Sequence, residues 1–180
     1  MRMRVLGIDP GNAVCGWGLI ERAGAPRFLA AGTIRPRATM RGPARLKEIH
    51  DRLLELLDRY RPDAVSLERS FAALNVQSAF KLGEARAMAM LAAAERGLAL
   101  FEYNPTDVKL TIAGFGRADK LQVKDMVRRT LGLDAGVALA DDASDALAIA
   151  LCHAFRARAP KPEPPRRVRP IPRANALAAP

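Results

Sequence analysis

A chain of 180 residues with 49% apolar content has the length and composition of one folded domain and leaves little room for two. The formal charge of +10 points to a polyanionic partner, with nucleic acid first among them. No apolar run is long enough for a membrane span, Met1 to Pro10 lacks the core of a secretory signal, and the cysteines Cys15 and Cys152 have no Cys/His ligand spacing around them, which excludes a structural zinc site.

The first segment, Arg4 to Asp9, alternates and is rich in Val, Leu and Ile, so it reads as a buried strand ending on a carboxylate at the turn Pro10-Gly11-Asn12. Val14 to Ile20 and Phe28 to Ile34 follow as short strands around Gly24-Ala25-Pro26, giving an antiparallel meander of three. Gly42-Pro43 opens a helix whose Leu46, Ile49, Leu53, Leu56, Leu57 and Tyr60 recur at helical spacing, and Arg61-Pro62-Asp63 stops it. Ala64 to Glu68 is a fourth strand that again ends on a carboxylate.

Asn75 is the expected N-cap of a long helix from Val76 to about Arg96, apolar on more sides than one domain covers. Ala99 to Tyr103 is a fifth strand. Helices follow near Thr106 to Ala113, Asp119 to Leu131 and Asp142 to Arg156, the first two separated by the Gly114-Phe115-Gly116-Arg117 run. His50 is expected on a charged, exposed helix face and His153 half-buried, with Trp17 in the core and both cysteines as buried thiols. The domain is placed at residues 1–158. Residues 159–180 read as a disordered Pro/Arg-rich tail with five cations and Glu163, a net +4 that leaves +6 on the domain.

The expected fold class is α/β: a five-stranded mixed sheet, three antiparallel strands and then two parallel, flanked by helices. If the fourth strand lies parallel to the first, Asp9 and Glu68 end side by side, about 4.8 Å apart across the ladder. Asp142 and Asp145 share one face at the start of the last helix, where its N-terminus favours negative charge. Four acids gathered on a basic domain repel one another unless a cation lies between them. Oxygen donors of this kind suit Mg²⁺ or Mn²⁺, and two such ions can serve the attacking and leaving oxygens of a phosphodiester. Taken singly, each acid has an ordinary reading: turn residue for Asp9, surface acid for Glu68, N-cap for Asp142, solvated first-turn acid for Asp145. Asp141 is also four residues from Asp145 and competes with Asp142 for the same role.

Several blocks in order resemble one family. Arg4-Val5-Leu6-Gly7-Ile8-Asp9-Pro10-Gly11 with Gly16-Trp17-Gly18 is similar to the opening of RuvC-type Holliday junction endonucleases. So are Glu68-Arg69-Ser70-Phe71, Lys81-Leu82-Gly83-Glu84-Ala85-Arg86, Phe101-Glu102-Tyr103, Val108-Lys109, Lys120 before Gln122-Val123, and Asp142-Ala143-Ser144-Asp145-Ala146-Leu147-Ala148. The resemblance spans about Met3 to His153. It implies an RNase H-like fold, a homodimer, Mg²⁺ dependence and symmetric cleavage of four-way DNA junctions at a short T-rich core sequence, as part of DNA recombination and repair. It also implies cooperation with the RuvA and RuvB branch-migration proteins; the lack of a signal core and of a long apolar run reads as a cytoplasmic protein.

By position, the resemblance assigns Asp9, Glu68, Asp142 and Asp145 to the metal ligands, although some relatives carry His where Asp142 stands. It assigns Lys109 and Lys120 to the neighbourhood of the scissile strand and Phe71 to an aromatic at the junction centre, where it can stack on an unpaired base. Arg69 is either a phosphate contact or a solvated charge. Two other readings compete. Gly7-Ile8-Asp9-Pro10-Gly11 also looks like the phosphate turn of actin-like ATPases and sugar kinases, but those need two lobes. A junction-binding protein without catalysis has no use for four intact acids facing phosphate.

Overall fold

Alternation along the first strand decides how the sheet is covered. In β1 (Met3–Asp9), Val5, Gly7 and Asp9 face one side while Leu6 and Ile8 face the other. The computed structural model describes residues 2–11, 13–37, 39–69, 76–134 and 136–157. β2 (Cys15–Arg22) pairs antiparallel with β1, and β3 (Pro26–Ile34) antiparallel with β2. After α1 (Pro43–Tyr60), β4 (Ala64–Glu68) runs parallel to β1. After α2 (Val76–Glu95), β5 (Ala99–Tyr103) runs parallel to β4. The sheet order is β3-β2-β1-β4-β5, and α3 (Pro105–Ala113), α4 (Lys120–Leu131) and α5 (Asp141–Arg156) complete the described chain.

Two cores flank the sheet. On one side Ile49, Leu53 and Leu57 of α1, together with Ala85, Ala89, Ala92 and Ala93 of α2, pack over Leu6, Ile8, Leu19, Val65 and Leu67. On the other side α5 lies across the middle of the sheet, with α3 and α4 behind it. Local signals set the helix limits. Pro43 occupies the first turn of α1, and Arg61 closes that helix in a left-handed conformation with φ 45°. Asp119 and Gln122 form a reciprocal capping box on α4.

The close seat of α5 depends on glycine. A Cβ on Gly7 would stand 2.0 Å from the Ala146 carbonyl oxygen, and one on Gly16 would stand 2.0 Å from that of Asp142. Gly18 would drive into Leu147. These glycines belong to facing register positions, Gly7 opposite Gly18 and Asp9 opposite Gly16. The helix answers with small residues, Ala143, Ala146 and Ala150, all buried. Backbone therefore meets backbone, and the first turn of α5 is held beside the end of β1.

Two expectations need adjustment, those for His50 and His153. His50 is only 15% exposed and faces Glu95 at 3.3 Å, because α2 packs over that part of α1. His153 is fully enclosed rather than half-buried, since the sheet and α3 cover α5 on both sides. Helix α2 buries an alanine face and leaves Val76, Phe80, Met90 and Leu91 in solvent. The expected cap Asn75 and the tail at 159–180 lie outside the described residues.

Candidate active site

Each acid is delivered by a different constraint. Asp9 is the last residue of β1 and Glu68 the last of β4, two neighbouring parallel strands whose C-terminal ends coincide. Asp142 and Asp145 come from the first turns of α5, drawn in by the glycine contacts. Asp9 lies on the sheet face that α5 covers, as Val5 and Gly7 do.

The four acids are near enough to act on one another electrostatically. Burial pushes the Asp9 carboxyl up to about 7, with Asp145, Glu68 and Asp142 adding repulsion and Lys120 partly opposing it. Glu68 is raised as well, first by burial and then by Asp145, while Lys109 and Lys120 pull it down. Lys120 donates to Asp145 across 2.8 Å, and this bond holds the ammonium firmly charged. The Cys15 thiol nearby is pushed up to about 12 by burial and by Asp9, so it stays a neutral packing group.

Asp141 and Asp142 part company here. Asp141 points to solvent and binds Lys124 at 2.6 Å, which holds its carboxyl low. Asp142 is among the acids that act on Asp9 and Cys15, and Asp141 is not. The helix begins at Asp141 with Ala140 as its N-cap, so neither acid caps it.

The sequence-derived cations fall nearby. Lys109 and Lys120 both act on Glu68. Arg69 follows Glu68 directly and reaches Glu102 at 3.5 Å. Phe71 lies outside the described residues. Sequence reasoning missed the role of Arg86 from α2, whose guanidinium donates to the Glu68 carbonyl at 2.8 Å. Asp9, Pro10, Glu68, Leu82 and Arg86 line a cleft of about 80 Å³. A larger hollow of about 220 Å³ between α1 and α2 contains Arg41, Arg45, Lys81 and a single acid, Glu84, and lacks the carboxylate cluster.

Among the described residues, no group of three or more His, Cys, Asp and Glu side chains is placed to hold a metal ion by itself. The donor set nevertheless fits Mg²⁺, which keeps several waters and binds through one or two carboxylates plus substrate phosphate.

The family model described as crossover junction endodeoxyribonuclease RuvC matches residues 5–153, from within β1 almost to the end of α5. The chain belongs to the RuvC family. A RuvC from Chloroflexus aggregans is 47% identical over 156 residues, covering 86% of this chain and 94% of that one. One from Thermotoga petrophila is 42% identical over 158 residues, covering 87% and 95%. Among solved structures, T. thermophilus RuvC in complex with a Holliday junction substrate superposes with a TM-score of 0.80 at 39% identity, over 85% of this chain and 93% of that one. The yeast mitochondrial Holliday junction resolvase Ydc2, at 14% identity and a TM-score of 0.59, shares the fold. The five-stranded mixed sheet with flanking helices is thus the RNase H-like fold of RuvC. Membership in this family makes the chain a crossover junction endodeoxyribonuclease.

Proposed function

We propose that this RuvC-family nuclease resolves four-way DNA junctions in recombination and repair, using Asp9, Glu68, Asp142 and Asp145 to hold Mg²⁺, two ions per site, with Mn²⁺ as an alternative. The observation that carries the reading is Asp9: a strand-end acid pushed up to about 7 by burial and three neighbouring acids, in a chain of net charge +10. Such a cluster destabilises the protein unless a cation occupies it. The bound metal supplies positive charge to the attacking and leaving oxygens of the phosphodiester.

The protein's own groups do the rest. Lys120 and Lys109, set beside the acids, meet the phosphates of the scissile strand, and Lys120 exchanges its Asp145 contact for substrate. Arg69 makes a phosphate contact next to Glu68. Phe71 stacks on an unpaired base at the junction centre. The outer face of α2, with exposed Val76, Phe80, Met90 and Leu91, is the surface for a two-fold homodimer. Two sites related by that axis match the approximate two-fold symmetry of a four-way junction. RuvA and RuvB are the branch-migration partners, and the cytoplasm is the compartment. Among the described residues, no helix is long and apolar enough to cross a membrane. Residues 159–180 act as a basic appendage to the nuclease domain at 1–158.

The test is cleavage of a synthetic mobile four-way junction with Mg²⁺, mapping cuts on both strands while light scattering gives the mass. Paired symmetric nicks by a dimer are expected. Equal cutting of linear duplex, or a monomer at micromolar concentration making asymmetric cuts, contradicts the reading.

A further inference from the structure

Arg86 comes from α2, across the sheet from α5, and it lines the cleft at the strand ends together with Asp9 and Glu68. Its Nη1 donates to the Glu68 carbonyl at 2.8 Å, and its Nη2 forms an ion pair with Glu102 of β5. Glu102 pairs in register with Leu67, one residue before Glu68. Arg69 reaches the same carboxylate from the other side at 3.5 Å, and its backbone N–H continues the ladder to the Tyr103 carbonyl at 2.7 Å. The Arg86 side chain is only 16% exposed, and burial together with Arg69 lowers its pKa. Oε1 of Glu102 is buried, and the Arg86 guanidinium is the partner that balances its charge.

From this geometry we infer that the Arg86–Glu102 pair is a positioning device for Glu68. A strand end is where the ladder stops fixing the backbone, and here the last residue carries a carboxylate that has to meet a metal. Arg86 ties that final carbonyl to α2, and Glu102 fixes the guanidinium against the neighbouring strand. The Glu68 side chain then leaves the sheet on the α5 side from a peptide that cannot swing. The hydrogen bond that Arg86 makes to Glu68 is to the main-chain carbonyl. Its contribution is therefore mechanical, through the backbone. α2 also bears the exposed Val76, Phe80, Met90 and Leu91, so the seating of that helix and the placement of Glu68 form one unit.

The inference rests on Glu68 being a metal ligand, and the experiment separates the two ideas. Mn²⁺ binding to the full chain is measured by calorimetry, alongside junction binding without metal and cleavage across an Mg²⁺ titration. Glu68→Gln serves as the control: if it binds Mn²⁺ as well as the wild type, the ligand assignment fails, whatever Arg86 does. Loss of groups that orient metal ligands typically costs roughly 10–100-fold in metal affinity. Arg86→Lys keeps the charge but cannot span both partners, and a loss of that size is expected, with metal-free junction affinity unchanged and cleavage partly recovered at high Mg²⁺. The double variant Arg86→Met/Glu102→Gln removes both charges, so it leaves no buried carboxylate stranded and should melt near the wild type while still binding Mn²⁺ weakly. Wild-type Mn²⁺ affinity in either variant overturns the inference. So does weakened metal-free junction binding with intact Mn²⁺ affinity, which would make Arg86 a DNA contact.

Discussion

At its N-terminal end α5 brings Asp142 and Asp145 toward Asp9 and Glu68, and the result is a set of acids that disfavour one another's ionisation. At its C-terminal end the same helix settles its polar groups. His153 shares a 2.8 Å hydrogen bond with the Tyr103 hydroxyl and lies 4.2 Å, centroid to centroid, from the Phe101 ring. Arg156 binds Asp107 at 2.9 Å, and Arg22 donates to the Ala154 carbonyl. Burial pushes His153 down to about 4, so it stays neutral at ordinary pH. One helix thus carries a frustrated end and a satisfied end. The frustrated end is where a ligand has something to offer; the satisfied end anchors the lever that holds it there.

The contrast is broken most severely at the acids. Glu68→Gln or Asp9→Asn should reduce junction cleavage by on the order of 10³-fold while leaving binding intact or tighter, since removing metal-borne charge forfeits several kcal/mol in the transition state. Asp142→Asn should be inactive and Asp141→Asn active, because Lys124 already occupies Asp141. Cleavage rates and gel-shift affinities for these four variants check the assignment. The reverse pattern at 141 and 142 would move the ligand by one residue.

Gly16→Ala attacks the lever rather than the charges. Its Cβ would meet the Asp142 carbonyl at 2.0 Å, so the first turn of α5 has to lift. Overpacking of this kind costs about 1–3 kcal/mol of stability. A shift of about 1 Å at reacting groups costs on the order of 10²-fold in rate. Melting and single-turnover cleavage should both fall, whereas Gly136→Ala, with open space around it, should change neither.

The two ends should also respond to pH with opposite signs when metal is removed. The Asp9 carboxyl moves from 3.8 to about 7 on folding, so its contribution to stability is greatest at low pH and is lost as pH rises from about 4 to about 7. That displacement corresponds to roughly 4 kcal/mol of differential interaction at most. His153 moves from 6.5 to about 4, so its contribution is present above 6.5 and is lost as pH falls toward 4. Asp9→Asn should remove the first slope from a plot of melting temperature against pH, and His153→Gln the second. Mn²⁺ binding should tighten as pH rises through about 7, because the ligand must lose its proton.

Tyr103→Phe is the mildest change. It removes one hydrogen bond to His153 and should cost about 1 kcal/mol by thermal melting, with the cleavage rate unchanged. A large loss of rate would join the satisfied end to the chemistry.

Much of this arrangement was legible in the order of residues, for physical reasons. Period-two alternation in β1 and the short strand run of β4, each stopping on an acid, announced two strand ends carrying carboxylates. The helical spacing of Ile49, Leu53 and Leu57 placed α1. What escaped depended on contacts between distant segments. Nothing local distinguishes Asp141 from Asp142 until Lys124 comes alongside one of them. His50 looks solvated until α2 covers it. Arg86 reads as an ordinary helix cation until it is seen against the Glu68 carbonyl. The glycines of β1 and β2 look like turn or strand-weakening residues, and only the approach of α5 explains them.

The position of α5 in chain order has a consequence for biosynthesis. Asp9 and Glu68 are translated early, but Asp142 and Asp145 arrive on the last described helix, and α5 packs across β1 and β2 near the opposite end of the chain. Contacts of such long range close late in folding. While the ribosome is still making the domain, the nascent polypeptide holds only two of the four acids proposed for the site. On the proposed assignment of the four acids, a fragment that stops before α5 carries only Asp9 and Glu68.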